Sequence, residues 1–108
     1  MTPIISGNLP EIAALCRLHG VTRLDVFGSA ATQDFDPTRS DIDLIAAFAS
    51  TRAPGYADRY LDFAESLERL LCRKVDLITP GSIRNSRFAE SVANQAITIY
   101  ESSKHQAA

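Results

Sequence analysis

At 108 residues, with hydrophobic residues at 45% and charged residues at 22%, the chain has material for one core and too little for two domains. A formal net charge of −2 and a sequence pI near 5.6 argue against the basic footprint with which proteins grip a long nucleic-acid backbone. No segment has the make-up of a signal peptide or the length of a membrane span, so the expected location is cytoplasmic.

In chain order, Asn8-Leu9-Pro10-Glu11 reads as a helix start, with Asn8 as cap and Glu11 completing a capping box. Ile12, Leu15, Cys16 and His19 follow at helical spacing, and Gly20 ends the run. Val21 to Phe27 is a predicted strand with Leu24 and Val26 on one side, closing on Gly28-Ser29. Residues 30–40 form a polar connection through the turn-prone Asp36-Pro37-Thr38-Arg39-Ser40. A second strand runs from about Asp41 to Phe48, and Ala53-Pro54-Gly55 then breaks the chain. Tyr56, Tyr60, Phe63, Ala64, Leu67, Leu70 and Leu71 mark a long amphipathic helix. Val75 to Ile78 is a third strand, Thr79-Pro80 opens a helical region to about Asn94, and Ala96 to Tyr100 is a last strand. Cys16 and Cys72 both fall in leucine-rich helical patterns and are expected to be buried free thiols.

This order predicts an α/β (α+β) fold, a small mixed β-sheet flanked by helices, as one domain over residues 1–101 with a frayed polar tail at 102–108. The strands on either side of residues 28–40 should pair antiparallel, since their connection is short for a parallel crossover.

Side chains alternate along a strand, so Asp41 and Asp43 share one side while Ile42 and Leu44 take the other. Magnesium is usually held by one or two carboxylates together with substrate phosphates. If the second and third strands are neighbours, Asp76 joins the pair, and three carboxylates can hold two metals about 3.5–4 Å apart for an in-line displacement at phosphorus. Gly28 permits close backbone approach, and Ser29 with the amides of a short helix start can take phosphate oxygens. Taken singly, a Gly-Ser pair is an ordinary turn and an Asp-x-Asp a solvated strand end; their ordered combination with Val75-Asp76-Leu77 is far more specific. Asp25 is an alternative ligand, Asp34 and Asp36 read as turn formers, and His19 and His105 have no metal-ligand spacing.

Gly28-Ser29, with eleven residues between Ser29 and Asp41, then Ser40-Asp41-Ile42-Asp43-Leu44 and Val75-Asp76-Leu77-Ile78-Thr79, resembles the DNA polymerase beta-like nucleotidyltransferase superfamily. The short length points within it to the minimal nucleotidyltransferases, many of which are antitoxins paired with a HEPN-type ribonuclease toxin. The resemblance implies transfer of a nucleoside monophosphate, AMP above all, from a nucleoside triphosphate such as ATP, with two Mg²⁺ ions and release of pyrophosphate. By position, Asp41, Asp43 and Asp76 would be the catalytic, metal-binding acids, and Gly28, Ser29, Arg39 and Ser40 would contact the nucleotide. The acceptor would be a tyrosine of the toxin in a hetero-oligomer, docked against apolar surface from Tyr56, Tyr60 and Phe63 or from Phe88 and Val92.

The chain departs from the family at Ala30-Ala31-Thr32-Gln33, where Thr32 stands in place of a phosphate-binding arginine and Arg39 is the possible substitute. That departure motivates a second expectation, an antitoxin acting by direct contact with its partner. A nuclease is disfavoured by the lack of a basic groove.

Overall fold

The computed structural model describes residues 2–31, 41–49, 54–80 and 96–102, together with positions 87 and 90. Two short helices lead in: α1 (Pro3–Ser6) and α2 (Leu9–Leu18). Strand β1 (Val21–Phe27) runs into a 3-10 turn at Gly28–Ala31, and β2 (Ile42–Phe48) returns beside it. Helix α3 (Tyr56–Leu71) crosses over to β3 (Val75–Ile78), and β4 (Ile97–Glu101) completes a sheet of order β3-β2-β1-β4.

The expected mixed sheet follows from the lengths of the connections. β1 and β2 pair antiparallel, as their short link demands, while α3 supplies the crossover that a parallel β2–β3 pair requires. β4 pairs antiparallel with the other side of β1, one residue later than the sequence predicts. Along each strand the alternation divides two faces. Leu24, Val26, Ile42, Leu44, Ala46, Val75 and Leu77 point into the core, with Ile5, Ile12, Cys16, Phe63, Leu67 and Leu71 packed on them from the helices. Phe48 meets Phe63 and Tyr56 edge-on, with ring centroids 6.0 and 5.4 Å apart.

The chain differs from expectation in three places. Asn8 precedes α2 but makes no side-chain cap; its Nδ2 donates to the Ile4 carbonyl at 2.7 Å, because α1, which has no hydrophobic periodicity to announce it, ends there. Cys16 is buried, and burial pushes its thiol up to about 12, but Cys72 is exposed. Cys72 lies past the last turn of α3 in left-handed conformation (φ 56°), where the chain leaves the core to reach β3. Ser102, expected to fray, is tied down by its amide donating to the Thr22 carbonyl at 2.7 Å. Gly20, with φ 74°, turns the chain out of α2 as expected. Most of the helical region foreseen over residues 79–94 lies outside the described residues; Arg87 and Glu90 within it are helical.

β3 is a sheet edge, and α3 covers it. In the parallel ladder the Ile42 amide donates to the Lys74 carbonyl at 3.2 Å, so the alternate residues Val75 and Leu77 turn their backbone groups outward. The Val75 amide donates to Glu68 Oε2 at 3.0 Å, and the Leu77 carbonyl accepts from the Tyr60 hydroxyl. Both partners come from the flank of α3, which limits the pairing an open edge invites.

Candidate active site

The pairing register brings the predicted acids together at one end of the sheet. Asp43 stands opposite Phe27, the last residue of β1, and opposite Asp76 on β3. Asp41 lies just before β2 and is exposed, as is Asp76, while Asp43 is half-buried between its neighbours. The Asp43 carboxyl is raised above the usual carboxylate range, first by burial, then by the charges of Asp76 and Asp41. Asp43 therefore feels both of the other acids. The three do not close into a ready-made cage: among the described residues, no group of three His, Cys, Asp or Glu side chains could hold a metal ion as it stands. The donor set itself, carboxylate oxygens with no thiolate or imidazole, suits a hard divalent cation such as Mg²⁺.

Gly28 is required by this geometry. Its φ of 68° is left-handed, and a Cβ built on it would lie 2.7 Å from Asp43 Oδ2. Any side chain there would both strain the turn and displace the central carboxylate. Ser29 follows on the same 3-10 turn, and the Thr2 amide donates to the Ala30 carbonyl at 2.9 Å, bracing the turn against the N-terminal segment. That brace was not legible in the sequence, since Thr2 and Ala30 are far apart and neither type is distinctive. Thr32, Gln33, Asp34, Asp36, Arg39 and Ser40 lie outside the described residues, as do Phe88, Val92 and His105.

Asp25, the alternative ligand, accepts instead from Arg23 Nε at 3.1 Å, and Arg23 also donates to Thr98 Oγ1 at 3.1 Å. His19 is a helix-end residue whose Nδ1 lies 2.8 Å from the Leu15 carbonyl. Of the residues considered for docking, Phe63 is wholly buried and belongs to the core. Tyr56 and Tyr60 are half-buried and line a groove of about 590 Å³ with Leu61, Leu77 and Ile78. Leu61, at 57% exposure, was not singled out from sequence because its helical position falls off the main apolar stripe. Burial raises the Tyr60 hydroxyl, with further contributions from Tyr56 and Asp76.

The family described as "Nucleotidyltransferase domain" matches residues 12–99. A candidate protein adenylyltransferase of Methanocaldococcus jannaschii, MJ1379, is 33% identical over 100 residues, covering 85% of this chain and 98% of the relative. Among solved structures, a candidate minimal nucleotidyltransferase superposes with a TM-score of 0.70 at 30% identity, covering 86% of this chain and 90% of the other. An MNT antitoxin in complex with a tri-AMPylated Shewanella oneidensis HEPN toxin shares the fold, with a TM-score of 0.62 at 20% identity over 94% of this chain and 76% of that one. No helix of the described residues is long and apolar enough to cross a membrane.

Proposed function

The chain belongs to the nucleotidyltransferase-domain family, and from that premise we propose that it is a cytoplasmic, Mg²⁺-dependent antitoxin that transfers AMP from ATP to a hydroxyl of a HEPN-type toxin. The observation that carries the reading is the alignment of Asp43 with Asp76 across β2 and β3, directly beside the Gly28 turn. Similarity to a candidate adenylyltransferase and to an antitoxin bound to an AMPylated toxin supports the choice of nucleotide and partner.

In this reading Asp41 and Asp43 hold the cations, and Asp76 completes the ligand set. Bound Mg²⁺ supplies charge neutralisation for the triphosphate and the leaving pyrophosphate. The turn from Gly28 presents backbone amides to the terminal phosphates, with Ser29 and Ser40 as further nucleotide contacts and Arg39 as a cation standing in for the arginine absent at Thr32. The acceptor oxygen attacks the α-phosphorus, a new P–O bond forms as the bond to pyrophosphate breaks, and the hydroxyl proton passes to Asp76 or to water. Attack in line with departure places the acceptor on the β3 side, opposite the phosphate turn. The domain over residues 1–101 provides no acceptor of its own in this scheme.

The decisive assay incubates the protein, the product of the neighbouring gene and each α-labelled nucleoside triphosphate with Mg²⁺. Label should move from ATP to the partner, and to no partner carrying Phe at the accepting tyrosine. A folded, partner-bound protein that transfers no nucleotide contradicts the proposal. Thr32 favours one other reading, neutralisation by contact alone. Under it, an Asp41→Asn/Asp43→Asn protein still silences the toxin; under the transferase reading, it does not.

A further inference from the structure

Asp76 sits on a strand of only four residues at the edge of the sheet, with β2 on one side and, among the described residues, no strand on the other. Such a strand has little of its own to fix it, yet Asp76 must hold its carboxylate against the repulsion of Asp43 across the register. The two residues flanking Asp76 are the ones whose outward backbone groups α3 engages. The Val75 amide donates to Glu68 Oε2 at 3.0 Å, and the Tyr60 hydroxyl donates to the Leu77 carbonyl. Glu68 and Tyr60 lie eight residues apart on α3, so their side chains rise from one flank two turns apart and reach two points along the strand. The helix between them is anchored by Phe63 and Leu67, both fully buried.

We infer that Glu68 and Tyr60 are positioning residues, a two-point clamp by which α3 fixes the backbone on either side of Asp76 and so sets that carboxylate for its role in the site. Both side chains bond the backbone of the residues flanking Asp76. The inference rests on the proposed function insofar as Asp76 is taken as a metal ligand. Hydrogen bonds that orient a ligand from behind commonly change metal affinity by about 10- to 100-fold when removed.

Three variants of the full chain separate the clamp from other effects. Glu68→Ala removes both acceptor and charge, Glu68→Gln removes only the charge and keeps an amide oxygen for the Val75 N–H, and Tyr60→Phe removes the donor to Leu77 while keeping the ring. Mn²⁺ binding, followed by electron paramagnetic resonance without nucleotide, and Mg²⁺-dependent transfer are measured alongside melting temperature. Glu68→Ala and Tyr60→Phe should each weaken Mn²⁺ binding about tenfold, lowering kcat with little change in KM for ATP, and Glu68→Gln should restore both. Amide exchange at Val75, whose N–H loses its acceptor, should quicken in Glu68→Ala and stay slow in Glu68→Gln. Wild-type Mn²⁺ affinity in folded Glu68→Ala, or a Glu68→Gln protein as defective as Glu68→Ala, overturns the clamp. A wild-type chain that binds Mn²⁺ but transfers no nucleotide overturns the transferase reading, and the affinities still decide the clamp; a wild-type chain that binds no Mn²⁺ overturns both.

Discussion

The two faces of this sheet are built on opposite principles, although they alternate along the same strands. The core face gathers Leu24, Val26, Ile42, Leu44, Val75 and Leu77 against Phe63 and Leu67, where each buried side chain contributes roughly 1.5–3 kcal/mol. The other face sets Asp43 beside Asp76 with Asp41 within electrostatic reach, an arrangement that opposes folding of the metal-free chain. Apolar packing and clustered acidic charge are thus separated by one step along the chain. Ile42 and Asp43 are neighbours in sequence and serve opposite ends.

Substitutions on the two faces should therefore fail in different ways. Asp43→Asn should have the largest effect on function, with transfer falling by at least about 10³-fold, about 4 kcal/mol of lost transition-state stabilisation. The same change should leave the metal-free protein folded and more heat-resistant, because it removes a charge that burial and two neighbours disfavour. Melting curves in chelator together with transfer assays check both halves; loss of stability in Asp43→Asn would break the contrast between the faces.

On the other face, Phe63→Ala should cost about 3–5 kcal/mol of unfolding free energy, read from urea denaturation, by emptying a fully buried site. Any transfer remaining in the folded fraction should be close to normal per folded molecule. Gly28→Ala crosses between the faces. A left-handed residue with a Cβ costs about 1–2 kcal/mol, and the new methyl would contact Asp43 Oδ2, so transfer should fall further than this modest destabilisation accounts for.

The smallest expected effect is on pH dependence. The folded chain holds the Asp43 proton more tightly than the unfolded chain, so it binds more protons in the interval just above the ordinary carboxylate range. Contribution of this group to stability therefore falls as pH rises through that interval, and the metal-free wild type should lose stability there relative to Asp43→Asn. Parallel melting-temperature profiles for the two proteins between pH 3 and 7 would expose the opposite slope if the account of Asp43 is mistaken.

Much of this was legible in the sequence because alternation is a local signal. Ile42-Asp43-Leu44 and Val75-Asp76-Leu77 each announce one apolar face and one acidic side chain, and the short 28–40 link dictates an antiparallel pair. What was not legible depends on distant contacts between ordinary residue types. Nothing local marks Glu68 as the partner of the Val75 amide, or Thr2 as the brace of the Gly28 turn. Cys72 was misplaced for a related reason: leucine spacing runs up to it, but the left-handed turn that ejects it is a property of the chain's path to β3.

The central claim, that the acidic face is a metal-dependent nucleotide site, is tested most directly by thermal shift with Mg²⁺ and a non-hydrolysable ATP analogue on wild type and Asp43→Asn. The account predicts that Mg²⁺ with the analogue raises the wild-type melting temperature well beyond either alone, and that Asp43→Asn, already more stable without metal, gains no such increment. Equal stabilisation of both proteins, or none of the wild type, would contradict it.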